Sequence, residues 1–246
     1  MNFVPLMNSS KKIVSVFVAI TLILIFTVSV YADKIADYEF EKGEGHLYAC
    51  NRSAKKCIAI TFDDGPHPKY TPQILDILDK YDAKATFFMI GQNATMYKSI
   101  VKDVYSRGHE IGNHTYSHPD LRKITASEFL DEIEKTKLLI EEITGKAPVL
   151  FRPPGGYLNN DIVSMLIERS GIPVLWSWRQ DTRDWECPSS ECIVASVIKN
   201  LRDGDIILFH DYNAKDSPTP EALEKILSEL SKKGYRFVTV SELMSM

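Results

Sequence analysis

The chain has 246 residues, 44% hydrophobic and 25% charged, with 12 glycines and 12 prolines. These proportions exclude collagen-like, low-complexity and multi-span membrane proteins. The formal charge is -4, and outside the first 32 residues, whose only charges are Lys11 and Lys12, 27 basic residues face 33 acidic ones. That acidic balance excludes the basic field on which nucleic-acid binding depends.

Residues 13–30 (IVSVFVAITLILIFTVSV) carry no charge, follow Lys11-Lys12 and precede Tyr31-Ala32-Asp33. A positive flank, an apolar run and a small residue at Ala32 describe a secretory signal cleaved after Ala32. A run of 18 residues is also just long enough to span a bilayer, so residues 1–32 read as a signal peptide or an N-terminal membrane anchor. Either way residues 33–246 are expected outside the cytoplasm, because the positive flank stays inside. Membrane contact is expected only through residues 13–30, if they are retained. Residues 33–55 are polar and aperiodic, a linker or N-terminal extension, and residues 56–246 are about one domain's worth of chain. Cys50 and Cys57 are close in sequence, as are Cys187 and Cys192. Two local bridges are therefore expected, although three pairings are possible. A four-thiolate zinc site lacks its tight C-x2-C spacing, and free thiols are the third alternative.

From residue 56 the pattern alternates. Runs rich in Ile, Val and Phe predict strands at 57–62, 85–90, 109–113, 149–152, 173–178, 205–210 and 236–240. Helical patterns lie between them. Asn93 to Arg107 closes at Gly108. Thr125 and Glu128 make a capping box before Phe129, Ile133, Thr136, Ile140 and Ile143, with Gly145 as the stop. Ala222, Leu223, Ile226, Leu227 and Leu230 form another face, ending at Gly234. Strands alternating with helices predict a parallel sheet with crossover helices, and either an open doubly wound sheet or a distorted barrel satisfies the pattern.

Polar clusters fall where the strands end. Thr61-Phe62-Asp63-Asp64-Gly65-Pro66 closes the first strand. It reads as a polar Asp-Gly turn, or as a pair of carboxylates made compatible by a cation that ligates one of them. His114-Thr115-Tyr116-Ser117-His118 follows the third strand. Histidines four apart share a face on a helical turn and can present both imidazoles to one metal ion, although two exposed loop histidines would look the same. Thr115 removes the HExxH zinc-peptidase reading. With an aspartate from another strand end, the pair forms an Asp-His-His set that leaves a position for water. Phe151-Arg152-Pro153-Pro154-Gly155-Gly156 ends the fourth strand, with Arg152 suited to brace a carboxylate. Asp181-Thr182-Arg183-Asp184-Trp185 and Leu208-Phe209-His210 close the fifth and sixth. In an α/β fold, chemistry belongs at these C-terminal strand ends.

In this order the five segments resemble the signature motifs of the polysaccharide deacetylases, the NodB-homology group or carbohydrate esterase family 4, over about residues 56–245. The resemblance implies a distorted (β/α) barrel. It implies Asp63 as general base and His210 as general acid. It implies Asp64, His114 and His118 as ligands of one divalent metal, zinc first, with Co²⁺ or another divalent ion as alternatives. Arg152 would brace Asp63, and Asp181 and Asp184 would be supporting carboxylates, one on Arg152 and one on His210, with the assignment open. Pro154 and Gly155 would face the oxyanion and substrate, and Trp185 and Leu208 would wall an acetyl pocket. Many members carry Tyr where this chain has Gly155, which keeps the backbone N–H and lacks the aromatic wall.

The activity so implied is a metal-dependent, extracytoplasmic hydrolase, secreted or membrane-anchored. It would remove N-acetyl groups from a GlcNAc-containing glycan of peptidoglycan or chitin type and release acetate. Its partner would be an acetylated polysaccharide or oligosaccharide, and the chain is expected to be monomeric. An O-acetyl esterase on xylan-like glycans could use the same site. A catalytically inactive glycan-binding barrel would need the base or a ligand to be lost, and all are present.

Overall fold

The computed structural model describes residues 47–187, 189–212 and 216–246; the expected signal or anchor and most of the extension to residue 55 lie outside them. Strands β1 (Cys57–Asp63), β2 (Ala85–Met89), β3 (Glu110–Asn113), β4 (Leu150–Phe151), β5 (Ile172–Pro173) and β6 (Ile206–His210) run parallel in the order β5-β4-β3-β2-β1-β6. A further strand, β7 (Arg236–Val238), pairs with the first half of β1. The helices are α1 (Tyr70–Lys80), α2 (Gly91–Met96), α3 (Lys98–Ser106), α4 (Ala126–Thr144), α5 (Asn160–Ile167), α6 (Ser190–Asn200), α7 (Thr219–Lys232) and α8 (Val240–Met244).

Every residue of β1 and β2 is buried, as a parallel sheet covered on both faces requires. The two-residue period of β1 divides the core. Ile58, Ile60 and Phe62 face the helices and pack with Ile74, Val101 and Leu223. Cys57 and Ala59 face the inside of the curled sheet and pack with Phe88, Leu150, Val174 and Ile206. Val240 and Leu243 of α8 complete this inner core, beside the starts of β2 and β3, where Val240 N–H donates to Thr86 and Ser241 N–H to Glu110. Two residues further up the inner face of β1 stand Thr61, then Asp63, so the interior turns polar towards the strand ends. Register sets Asp63 beside His210, Met89 beside Asn113 and Asn113 beside Phe151. The strand ends form one row, with His114 and Arg152 one residue beyond it.

The strand expected over 173–178 ends at Pro173, because the Val174 and Leu175 carbonyls are taken by the Arg152 guanidinium. The chain then closes the curl irregularly. Ser177 N–H donates to Ile206 O, and its hydroxyl accepts the Ile206 N–H. The sheet is thus a curled half-barrel, the distorted barrel expected.

The Thr125–Glu128 capping box forms, and Gly145 ends α4 at φ 76°, a left-handed conformation that Gly adopts without a Cβ clash. The single helix expected over Asn93–Arg107 is broken at Tyr97 into α2 and α3. The first N–H groups of α2 are spent on the Thr115 and Tyr116 carbonyls, whereas α3 is aligned by burial of Val101 and Val104. Cys187 and Cys192 are bridged. The second expected bridge is absent: Cys57 is a buried thiol in the inner core and is not joined to Cys50.

Candidate active site

The turn after β1 is held from three sides. Asp64 is left-handed at φ 73°, and the Gly65–Pro66 bond is cis. Asn93 Nδ2 donates to Asp64 O, and Ile90 N–H to Gly65 O. Behind the turn stands Asp211, 1% exposed, which accepts the Thr71 hydroxyl at 2.5 Å. Burial, joined by the negative charges of Asp64 and Asp63, pushes its carboxyl up to about 7. A Cβ on Gly65 would come within 2.1 Å of Asp211 Oδ1. Gly65→Ala is therefore expected to lower stability by about 1–3 kcal/mol, read as a fall in Tm, and to lose activity through displacement of Asp64. An alanine variant with wild-type Tm and activity would show that the turn has slack that the packing denies.

Asp63 is 3% exposed. Its Oδ1 accepts Arg152 Nη1 at 2.8 Å, and its Oδ2 is 3.8 Å from His114 Nε2. Arg152 is fully buried, a situation that needs a counter-charge and satisfied donors. Besides Asp63, its donors reach Thr61 Oγ1, Val174 O and Leu175 O, and its guanidinium lies 4.1 Å over the Phe88 ring.

Asp64, His114 and His118 place their ligating atoms within 4.8 Å of one another. Asp64 Oδ1 is 3.4 Å from both imidazole Nε2 atoms, and this buried oxygen has no hydrogen-bond partner. Burial works against the Asp64 carboxylate, but the close approach of His114 and the positive charge of His114, His210 and His118 outweigh it and bring it down to about 2. His114 Nδ1 lies 2.7 Å from Arg152 O. A carbonyl only accepts, so Nδ1 carries the proton and Nε2 turns a lone pair to the site. An orphaned carboxylate oxygen and two imidazoles are a donor set that fits Zn²⁺ or a similar divalent ion. The histidines do not share a helical turn as the spacing suggested. Thr115 and His118 are both left-handed, at φ 65° and 57°, and the irregular turn between them brings the rings together.

His210 Nδ1 is 2.7 Å from Asp184 Oδ1, and Asp184 Oδ2 accepts the His210 N–H and the Thr219 hydroxyl. Burial alone would lower the imidazole, but the Asp184 hydrogen bond and charge, with Asp63 and Asp64, raise it to about 9. Asp184 is therefore the partner of His210. Asp181 does not pair with Arg152: its carboxylate accepts the Arg183 N–H of its own turn, and the Arg152 donors are engaged elsewhere.

Asp63, Asp64, His114, His118 and His210 line a cavity of about 260 Å³ with Gly155, Trp185, Leu208, Trp176 and Tyr212. Leu208 is its buried floor and Trp185 an exposed wall. Pro154 is buried in a short 3₁₀ turn that sets Gly155 at φ 60°, and a Cβ on Gly155 would meet nothing within 4 Å. Trp176, Tyr212 and Asp211 were not singled out from sequence. The one signal for Asp211 is a carboxylate directly after the apolar strand that ends in His210.

A triangle of metal-type donors flanked by an Asp–Arg pair and a His–Asp pair, gathered at the C-terminal end of a parallel sheet, is an arrangement with which a hydrolase can activate water. Residues 51–172 match the family model described as polysaccharide deacetylase. A peptidoglycan-N-acetylglucosamine deacetylase of Bacillus cereus is 51% identical over 190 residues, covering 77% of this chain and 89% of that protein. Among solved structures, a peptidoglycan N-acetylglucosamine deacetylase in complex with an N-oxidanyl-benzamide superposes with a TM-score of 0.77 at 37% identity, covering 81% of this chain and 94% of that one. A family 4 acetyl xylan esterase from Clostridium thermocellum in complex with a cobalt ion gives 0.70 at 36%, covering 77% and 90%. The chain belongs to the polysaccharide deacetylase family and is an enzyme of glycan deacetylation.

Proposed function

We propose that the chain is an extracytoplasmic, metal-dependent N-deacetylase of a GlcNAc-containing glycan, peptidoglycan first and chitin-type chains second. The observation that carries this reading is the presence, around one cavity, of the Asp64/His114/His118 triangle, an arginine-braced aspartate and an aspartate-paired histidine. The names of the B. cereus relative and the first solved structure favour peptidoglycan, and residues 13–30 favour export.

A divalent ion held by Asp64, His114 and His118 would supply Lewis acidity towards water and the acetyl carbonyl. Asp63 is held at Oδ1 by Arg152, which leaves Oδ2 to take the proton of the attacking water. Gly155 brings unencumbered backbone to the cavity edge, where an N–H can meet a developing oxyanion. Leu208, Trp176 and Trp185 confine the acetyl methyl and exclude bulk water. His210 donates its Nε2 proton to the departing nitrogen, because Nδ1 is engaged by Asp184. The products are acetate and a free amine on the sugar.

Chelation is expected to abolish acetate release and Zn²⁺ or Co²⁺ to restore it. Full activity in a sample shown by elemental analysis to be metal-free would overturn the metal role. The second reading, an O-acetyl esterase, is favoured by the likeness to the acetyl xylan esterase. Acetate release from N-acetylated peptidoglycan, chitooligosaccharides and acetylated xylan separates the two, and faster turnover of xylan than of either amino-sugar substrate would select the esterase.

A further inference from the structure

The turn that carries His118 is placed by its backbone. His114 is fixed through Nδ1, whereas the His118 side chain is 40% exposed and His118 is itself one of the two left-handed residues of the turn. The carbonyls of Thr115 and Tyr116 accept the Gly91 and Gln92 N–H groups at the start of α2. The N–H groups on the other side of the turn converge on one side chain. Glu132 Oε2 accepts Tyr116 N–H at 2.8 Å and Ser117 N–H at 2.7 Å, and Glu132 Oε1 accepts the Ser117 hydroxyl at 2.8 Å. Next to Glu132 on α4, Ile133 O accepts Asn113 Nδ2 at 2.7 Å, and Asn113 Oδ1 accepts Thr115 N–H at 2.9 Å. Lys135, also on α4, stands 3.4 Å over the Tyr116 ring. Two successive N–H groups facing one carboxylate oxygen form charge-assisted bonds of the stronger kind. With them the left-handed turn has its donors and acceptors matched on both sides.

We propose that Glu132, which lies outside the five motifs, is a positioning residue that holds the backbone of the His114–His118 turn and thereby sets the affinity of the site for a divalent cation. This rests on the reading of Asp64, His114 and His118 as the ligand set. Glu132 acts through the Tyr116 and Ser117 amides, the two residues that immediately precede His118. Outer groups that orient metal ligands are typically worth about 10–100-fold in affinity.

The test is a Co²⁺ titration of the full chain, freed of metal, followed by visible absorption with a competing chelator. Glu132→Ala should raise the Co²⁺ Kd about 10–100-fold and alter the Co²⁺ spectrum. Glu132→Met, which keeps the bulk of the side chain, should do the same if alanine perturbs folding. Glu132→Gln should recover most of the affinity, since its amide oxygen can accept both N–H groups while Ser117 Oγ accepts from its NH₂. Asp131→Ala, on the exposed face of the same helix, should match wild type. Folded Ala and Met variants with wild-type Kd and spectrum, even at lowered Tm, would overturn the proposal. A Gln variant as weak as Ala would also overturn it, by showing that charge matters and the hydrogen bonds do not. If the wild-type chain binds no Co²⁺, the ligand reading fails first and this proposal with it.

Discussion

Asp63→Asn is expected to keep its metal and lose about 10²–10⁴-fold in kcat, whereas Asp64→Asn is expected to lose the metal itself. The two carboxylates are adjacent in sequence, but their surroundings divide them. Asp63 Oδ1 is engaged by Arg152 and its Oδ2 is free to take a proton. Asn in its place can still offer Arg152 an oxygen, so the buried guanidinium keeps a partner while the basic oxygen is gone. Asp64 Oδ1 has no hydrogen-bond partner and lies equidistant from two imidazole nitrogens. Asparagine tolerates the left-handed backbone that Asp64 adopts, so Asp64→Asn removes the ligand charge without straining the turn. Loss of a direct ligand should exceed the ~10–100-fold typical of outer groups. Metal content by elemental analysis and kcat on an N-acetylated glycan check both variants. Equal metal loss in the two would refute the division of roles.

The motif residues were legible in sequence because they obey two strong regularities. Parallel strands buried on both faces read as continuous apolar runs, and polar clusters that interrupt such runs mark their C-terminal ends. Asp63, Asp64, His114, Arg152 and His210 all follow that rule, and register then draws them into one row. The strand over 173–178 was misread because its apolar residues satisfy the pattern while its carbonyls are claimed by a side chain from β4's end. The roles of Asp181 and Asp184 could not be told apart, as both are acidic residues of one turn and only the tertiary fold sets Asp184 beside His210 and Thr219. Glu132 and Asp211 left no periodic trace. One acts through backbone amides of a distant turn and the other through close packing on Gly65, and neither kind of contact has a sequence spacing.

His210→Ala should separate amide from ester chemistry. An amine leaves poorly unless protonated, so the variant is expected to lose about 10²–10⁴-fold in kcat on an N-acetyl glycan. It should lose clearly less on an aryl acetate, whose phenolate departs as the anion. Asp184 determines the pH range over which the acid is available. His210 is raised to about 9 by Asp184 against the effect of burial, so its proton is present through neutral pH and is lost only as pH rises through that value. Asp184→Asn removes the charge that opposes burial, and the imidazole pKa falls. The alkaline limb of the kcat profile should therefore move to lower pH, with activity at pH 8 declining more than activity at pH 6. The bonds from His210 N–H and Thr219 to position 184 can both be met by the asparagine oxygen, which keeps the loop in place, while its NH₂ then faces Nδ1, so the shift comes from loss of both the Asp184 charge and its hydrogen bond to the imidazolium. Equal impairment of His210→Ala on amide and ester at unchanged metal content, together with an unmoved alkaline limb in Asp184→Asn, would assign His210 to shaping the pocket and take the acid role from it.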